Sequence, residues 1–470
     1  MSDNTAKKNT HPPVTPKVRF WYGFGDFGFT LMSNVETFYW NNFLTNIAGF
    51  LPGVALVITT VASMVDAALS WIYGGIINSV KPLKWGRYRS WLLLIPWIVP
   101  FIYAFQFISI AGNSTLSAVV ITAAAIVSHI IWNLPYAANA TMVSLIGRTP
   151  ETRAQLASSR AAWNNLSSVV FSYLGLPLAT YIASIIGQGS QFGAVAFVLG
   201  IVMVVGYYVH FKISEPYEEI EVTTKASESK TKASGKDMAK ALFQNPQLML
   251  LIVADLPKWI VKFVVAGSAI YYFRDVANAV SMQTTYVLVS NILAVVGAYL
   301  AGILVKKFTS RSMMIGSCFI MAVLMLLAYM SYQSPWAVLV LMSLAQCGYG
   351  ICYASAPPLY ADTAIYAKWK TGIDSQGWIM GLQTLPLKVG VIVRSVVINS
   401  ALIAVGYSAA TYDAASASAA VKQGITAPFT LIPAICLLAG GLILLFGFKL
   451  TKEKVLQYQT EIDAREKGKK

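Results

Sequence analysis

The stretch SMVDAALSWIYGGIINSVKPLKWGRYR, residues 63–89, holds one carboxylate, Asp66, inside an apolar run long enough to span a bilayer, and closes that run with Lys81, Lys84, Arg87 and Arg89. An ionised acid at that depth costs about 2.5 kcal/mol or more, so it is kept where an ion, a proton or a basic partner meets it. Two chemistries follow: a site that takes up and releases a cation, or an acid held by a neighbouring base for structure alone. Further ionisable residues lie inside or at the edge of apolar segments: Asp26, Glu36, Arg160, Asp255, Lys258, Lys262, Asp362, Lys388 and Arg394. Each is expensive unless paired or hydrated, and so many together argue for a polar path through a helical bundle.

Lys388 follows Pro386 in GWIMGLQTLPLKVG. A proline bends a helix and frees a carbonyl, which suits a helix lining a cavity, and Gln383 and Thr384 add hydrogen-bonding groups one turn earlier. A lysine at this depth wants a carboxylate, and Asp66 is the expected partner. Asp255, Lys258 and Lys262, spaced i, i+3 and i+7, fall on one helix face. They either pair among themselves or leave one cation for an anionic group. Tyr39, Trp40, Trp132, Tyr136, Trp163 and Trp378 are placed to stack on the apolar face of a sugar or simply to pack. His11, His129 and His210 are scattered, and the chain has no phosphate-binding Gly-rich loop, nucleophile–base spacing or metal-ligand spacing. Neither catalysis nor a resident cofactor or metal is expected.

The elements that position these residues follow from composition. Of 470 residues, 56% are hydrophobic and 12% charged, half the charged share of a soluble domain, so the chain is read as an all-α integral membrane protein. Its net charge of +15 sits in short clusters between apolar runs and in the tails, the pattern of a cytoplasmic-side bias rather than of nucleic-acid binding. Cys318, Cys347, Cys352 and Cys436 lie within apolar segments without a pairing pattern.

At about 20 apolar residues per span the chain accommodates roughly twelve helices, centred near Met32, Asp66, Pro100, Ile131, Val170, Met203, Val261, Ile292, Met321, Gly348, Val391 and Leu438. One set of connections carries Lys81 to Arg89, Arg148, Arg153, Lys306, Lys307, Arg311, Lys368 and Lys370; the other holds only Arg274 and Lys422 as cations. Both termini and the first set are therefore expected on the cytoplasmic side of the cytoplasmic membrane. The division is a tail 1–18, a helical bundle 19–213, a polar linker 214–246 too poor in apolar residues to build a core, a second bundle 247–450 and a tail 451–470. The loop from Gly406 to Ala427 is long, rich in small residues and expected outside.

The motifs WYGFGDFG from Trp21, VDAALSWIYGGIINS from Val65, WGRYR from Trp85, RAQLASSR from Arg153, ADTAIYAKWKTG from Ala361, LQTLPLKVG from Leu382 and the tail LTKEKVLQYQTEIDAREK together resemble the glycoside-pentoside-hexuronide:cation symporters of the major facilitator superfamily. The resemblance implies the major facilitator fold of two six-helix halves and a sugar carrier that is driven by a cation and works by alternating access. It makes Asp66 the first acid of a cation site on helix two, Lys388 the lysine of helix eleven, and Arg160 a basic residue bordering the sugar.

The departures point away from a galactoside. The second acid of the melibiose carriers is replaced by Ser70, with Leu69 before it instead of an asparagine. Thr30 and Asn139 stand where carboxylates grip galactosides. The arginine after KTG is absent in KTGIDSQG. The expected coupling group is Asp66, Ser70 and Lys388, with H+ favoured over Na+ because one carboxylate suffices for a proton. The expected substrate contacts are Thr30, Asn139, Arg160, Lys262, Trp378, Gln383 and Thr384, for a glycoside or hexuronide carried by a monomer. A carrier or facilitator of a non-sugar amphipathic organic anion and a membrane sensor that transports nothing are the other readings.

Overall fold

The computed structural model describes residues 12–69, 73, 76–77, 80, 83–108, 112–146, 150–187, 189–217, 245–304, 307–372, 379, 382–383, 385–414 and 416–467. Ser70, Trp378 and Thr384 lie outside them, as does most of the 214–246 linker. In chain order the helices are α1 Pro16–Trp21, α2 Phe24–Asn42, α3 Pro52–Leu69, α4 Arg89–Leu94, α5 Val99–Phe105, α6 Thr115–Ile146, α7 Pro150–Ile186, α8 Gln191–Ile213, α9 Pro246–Ile260, α10 Ala266–Tyr271, α11 Val280–Leu304, α12 Ser310–Met330, α13 Pro335–Thr371, α14 Leu385–Ala404, α15 Ala419–Thr426, α16 Leu431–Leu442 and α17 Lys452–Lys467. No strand occurs among the described residues; an isolated bridge joins Leu83 and Gly86.

Local chemistry sets several ends. Thr15, Asn245 and Thr309 cap α1, α9 and α12 through side-chain oxygens, with Pro16 and Pro246 opening the first two. Gly372 ends α13 in the left-handed region at φ 72°. Wider π turns continue α2, α9, α10 and α16 at Phe43–Ile47, Val261–Val265, Tyr272–Val276 and Ile443–Gly447. Such turns shift the facing of the residues after them, and one of them carries Lys262.

Eight of the described helices are long and apolar enough to cross a membrane, and α15 with α16, bent by 46°, adds a ninth if read as one broken span. The remaining apolar stretches fall short for visible reasons. The polar Asp26, Asn34, Glu36, Asn41 and Asn42 dilute α2, π turns divide the α9–α10 stretch, and the helix after the Arg87–Arg89 turn breaks near Pro96. Pro386 is the second residue of α14 as described, two before Lys388.

The helices before residue 218 meet those after residue 244 along three main seams, α3 with α14, α7 with α11 and α2 with α10. Within the later set α11 packs closely on α13. A side chain at Gly297 would meet the backbone of Cys347, and one at Gly350 that of Ala294, so only glycine lets these backbones touch.

Candidate functional site

Asp66 and Lys388 face each other across the α3–α14 seam, with the Lys388 Nζ 3.5 Å from the Asp66 Oδ2. The Asn133 amide of α6 donates to the Asp66 Oδ1 at 2.8 Å and the Tyr73 hydroxyl at 3.3 Å. The pair is only partly enclosed, with the Asp66 side chain 13% and the Lys388 side chain 31% exposed. Gln383 lies in the turn before α14, half-buried.

A second charged group stands beside the first. The Glu36 carboxylate of α2 is 2.8 Å from His129 Nε2 on α6 and 3.6 Å from the Arg394 guanidinium on α14. Arg394 also donates to the Thr37 carbonyl at 3.4 Å. The Glu36 amide donates to the Tyr103 hydroxyl, which in turn donates to the Met32 carbonyl. One side chain joins the two groups, because the Asn133 amide donates to the His129 carbonyl at 2.8 Å as well as to Asp66. Lys388 and Arg394, six residues apart on α14, thus serve two different carboxylates, as their divergent faces require.

Arg160 does not reach this group. It grips Asp26 with two bonds of 2.7 Å, and Asp26 is wholly buried. Its guanidinium lies 5.9 Å from the Tyr136 ring centre, and Tyr136 is one of the more exposed aromatic residues, stacked on Phe29. Thr30 bonds to Asn164 of α7. Asn139 is fully buried, and its carbonyl accepts from the Tyr22 hydroxyl at 3.2 Å. Of the other aromatic candidates, Tyr39 and Trp40 are buried in stacks with Phe192 and Phe43, and Trp163 donates to the Phe20 carbonyl. These three are engaged in packing.

On α9 the spacing resolves as a pair plus a remainder. Lys258 meets Asp255 at 2.7 Å, both buried, with Tyr360 donating to the same acid. Lys262 is half-buried, 5.9 Å from the Tyr349 ring centre, and has no ion-pair partner among the described residues.

At the ends of α2, α10 and α14 a polar lattice ties the two sets of helices together. Asn41 donates to the Tyr271 hydroxyl and accepts from Asn399, while Arg274 binds Asp275, Asn42 and Tyr407. Tyr407 and Tyr412 reach back to Asp275, so the loop after Gly406 is fastened at its start rather than merely exposed.

His129 is where reading the sequence fell short. It counts as scattered along the chain, yet it and Asn133 are one turn apart on a single face of α6, and that i, i+4 pair of polar residues in an apolar helix was the available signal.

A family model described as MFS/sugar transport protein matches residues 21–452. A protein named as a sulfoquinovose importer of Escherichia coli (strain K12) is 24% identical over 463 residues, 97% of this chain and 96% of its own length. A glucuronide carrier protein homolog of the same organism is 24% identical over 452 residues, 95% of each. A solved D-xylose-proton symporter has the same fold, with TM-score 0.64, 11% identity, and coverage of 92% of this chain and 97% of the other. These relatives are transporters and not enzymes, and the chain is a multi-pass membrane transporter belonging to the MFS/sugar transport protein family.

Proposed function

We propose that the chain is a monomeric symporter of two six-helix halves, twelve spans in all, that carries a glycoside or hexuronide together with a proton across the cytoplasmic membrane, with both termini in the cytoplasm. The observation that carries this reading is the Asp66–Lys388 contact across the α3–α14 seam. Protonating Asp66 removes the charge that holds Lys388, so a proton alters one of the seams that must slide in alternating access. The groups around Asp66 are an ammonium, an amide N–H and a phenol. Such donors suit an acid that alternates between charged and neutral, whereas sodium needs several oxygens and finds a serine at position 70 in place of a second acid.

The substrate in this reading is an acidic sugar. Lys262 stands unpaired among the described residues, and two relatives are named for sulfoquinovose and for a glucuronide. The partly exposed rings of Tyr136 and Tyr353 supply stacking faces. Counterflow in proteoliposomes with matched neutral glycosides, glucuronides and sulfonated sugars tests it. Exchange of the acidic members supports the assignment. Movement of non-sugar aromatic anions alone would replace it with a carrier of amphipathic organic anions on the same fold.

A further inference from the structure

Glu36, His129 and Arg394 form a buried cluster that the Asp66 site does not need. The three side chains are 14%, 7% and 6% exposed, and they come from α2, α6 and α14. Glu36 and His129 belong to the earlier set of helices and Arg394 to the later one, so the Glu36–Arg394 contact is a second ionic tie between the sets. It lies between one and two turns from Asn41, where the polar lattice begins.

The bonding assigns the tautomer of His129. Its Nε2 faces a carboxylate oxygen at 2.8 Å, and a carboxylate accepts, so Nε2 carries the hydrogen. In the neutral ring Nδ1 is then a bare acceptor, and it is buried with no hydrogen-bond partner among the described residues. A buried polar atom without a partner calls for an explanation. Here it is an atom to which a proton can add without breaking the bond to Glu36.

We propose that His129 is a second proton-binding site, which the proton enters at Nδ1 and which governs the Glu36–Arg394 tie between the two sets of helices. With His129 neutral, Glu36 and Arg394 form a balanced pair. With His129 charged, two cations share one carboxylate, Arg394 is held less strongly, and the contact between α2 and α14 loosens. The other groups around His129 preserve this sense. Asp66 on α3 is within electrostatic reach and is itself met by Lys388 and Tyr73. Tyr103, on α5, and Gln106, just after it, stand at Glu36. Trp132, on α6 itself, packs edge-on against the imidazole. Arg160 of α7 is committed to Asp26.

The inference rests on the proton-symport reading for its physiological meaning, and its test is separable from it. Counterflow at equal pH on both sides needs no ion gradient, so it reports the sliding of the helices and not the coupling. For the native protein in proteoliposomes, the exchange rate should change by about fivefold or more between about pH 8 and pH 5. His129→Gln keeps a donor for Glu36 but cannot titrate. In the Asp66→Asn background, which removes the Asp66 proton from the profile, it should exchange at a rate that stays flat over the same range, and Glu36→Gln should flatten it too. His129→Asn, checked by size exclusion and thermal unfolding, stands in if the glutamine variant does not fold. A native rate without pH dependence, or a native-like profile in folded His129→Gln and His129→Asn in that background, would overturn the proposal. Failure of an imposed proton gradient to drive uptake would instead count against proton symport, and leave this result standing.

Discussion

Asn133 donates to both the Asp66 carboxylate and the His129 carbonyl, at 2.8 Å each, so one amide on α6 fixes the acid of the α3–α14 seam beside the buried Glu36–His129–Arg394 cluster. Removing it leaves Asp66 with Lys388 and Tyr73 alone. Asn133→Ala should keep the fold and lower the exchange rate severalfold, because the carboxylate loses the amide that orients it toward Lys388. Counterflow checks this, and an unchanged rate would show that the amide holds the helix and not the acid.

Lys388→Gln leaves Asp66 without its cation. The single variant should lose most exchange, and the double variant Asp66→Asn with Lys388→Gln should recover part of it, since the pair is neutralised rather than broken. Counterflow rates of the two singles and the double decide this; additive losses would mean that the two residues act independently.

Arg160→Gln should be costly to the fold itself. It strands the fully buried Asp26, and breaking a buried ion pair costs about 3–5 kcal/mol. The expected result is a sharp fall in folded yield on size exclusion, restored by adding Asp26→Asn. Normal folding of the single variant would show that Asp26 finds another partner.

Outside the membrane, the Trp369 indole N–H lies 2.6 Å from Glu461 of α17. That bond, with a second from Gln457, holds the Glu461 carboxyl below the usual range. A carboxyl depressed on docking favours the docked helix above its ordinary pKa of about 4.3, and the advantage disappears as pH falls through the docked value. Protease sensitivity of the tail should rise on acidification below that point, and Glu461→Ala should show the raised sensitivity already at neutral pH.

Much of this was legible in the sequence because burying charge is expensive. Asp66 and Lys388 stood out as lone charges in apolar runs, and the expectation that a deep lysine needs a carboxylate led from one to the other. The i, i+3 spacing of Asp255 and Lys258 implied their pair, and left Lys262 over. Contacts that depend on three or more helices were not legible. Arg160 carried no sign that Asp26, more than a hundred residues earlier, would claim it, and Glu36 gave none of meeting His129. The π turn at Val261–Val265 leaves no mark in the apolar periodicity of its stretch. Tyr39 and Trp40 show the same limit, since an aromatic side chain facing a cavity and one facing a neighbouring helix look alike along the chain.

The central claim is that Asp66 carries the coupling proton, and uptake into proteoliposomes under an imposed pH gradient, with a sodium gradient in parallel, tests it most directly. The account predicts uphill accumulation of an acidic sugar driven by the proton gradient in the native protein, and in Asp66→Asn exchange without accumulation. Accumulation that survives in Asp66→Asn, or that follows sodium and ignores pH, would contradict it.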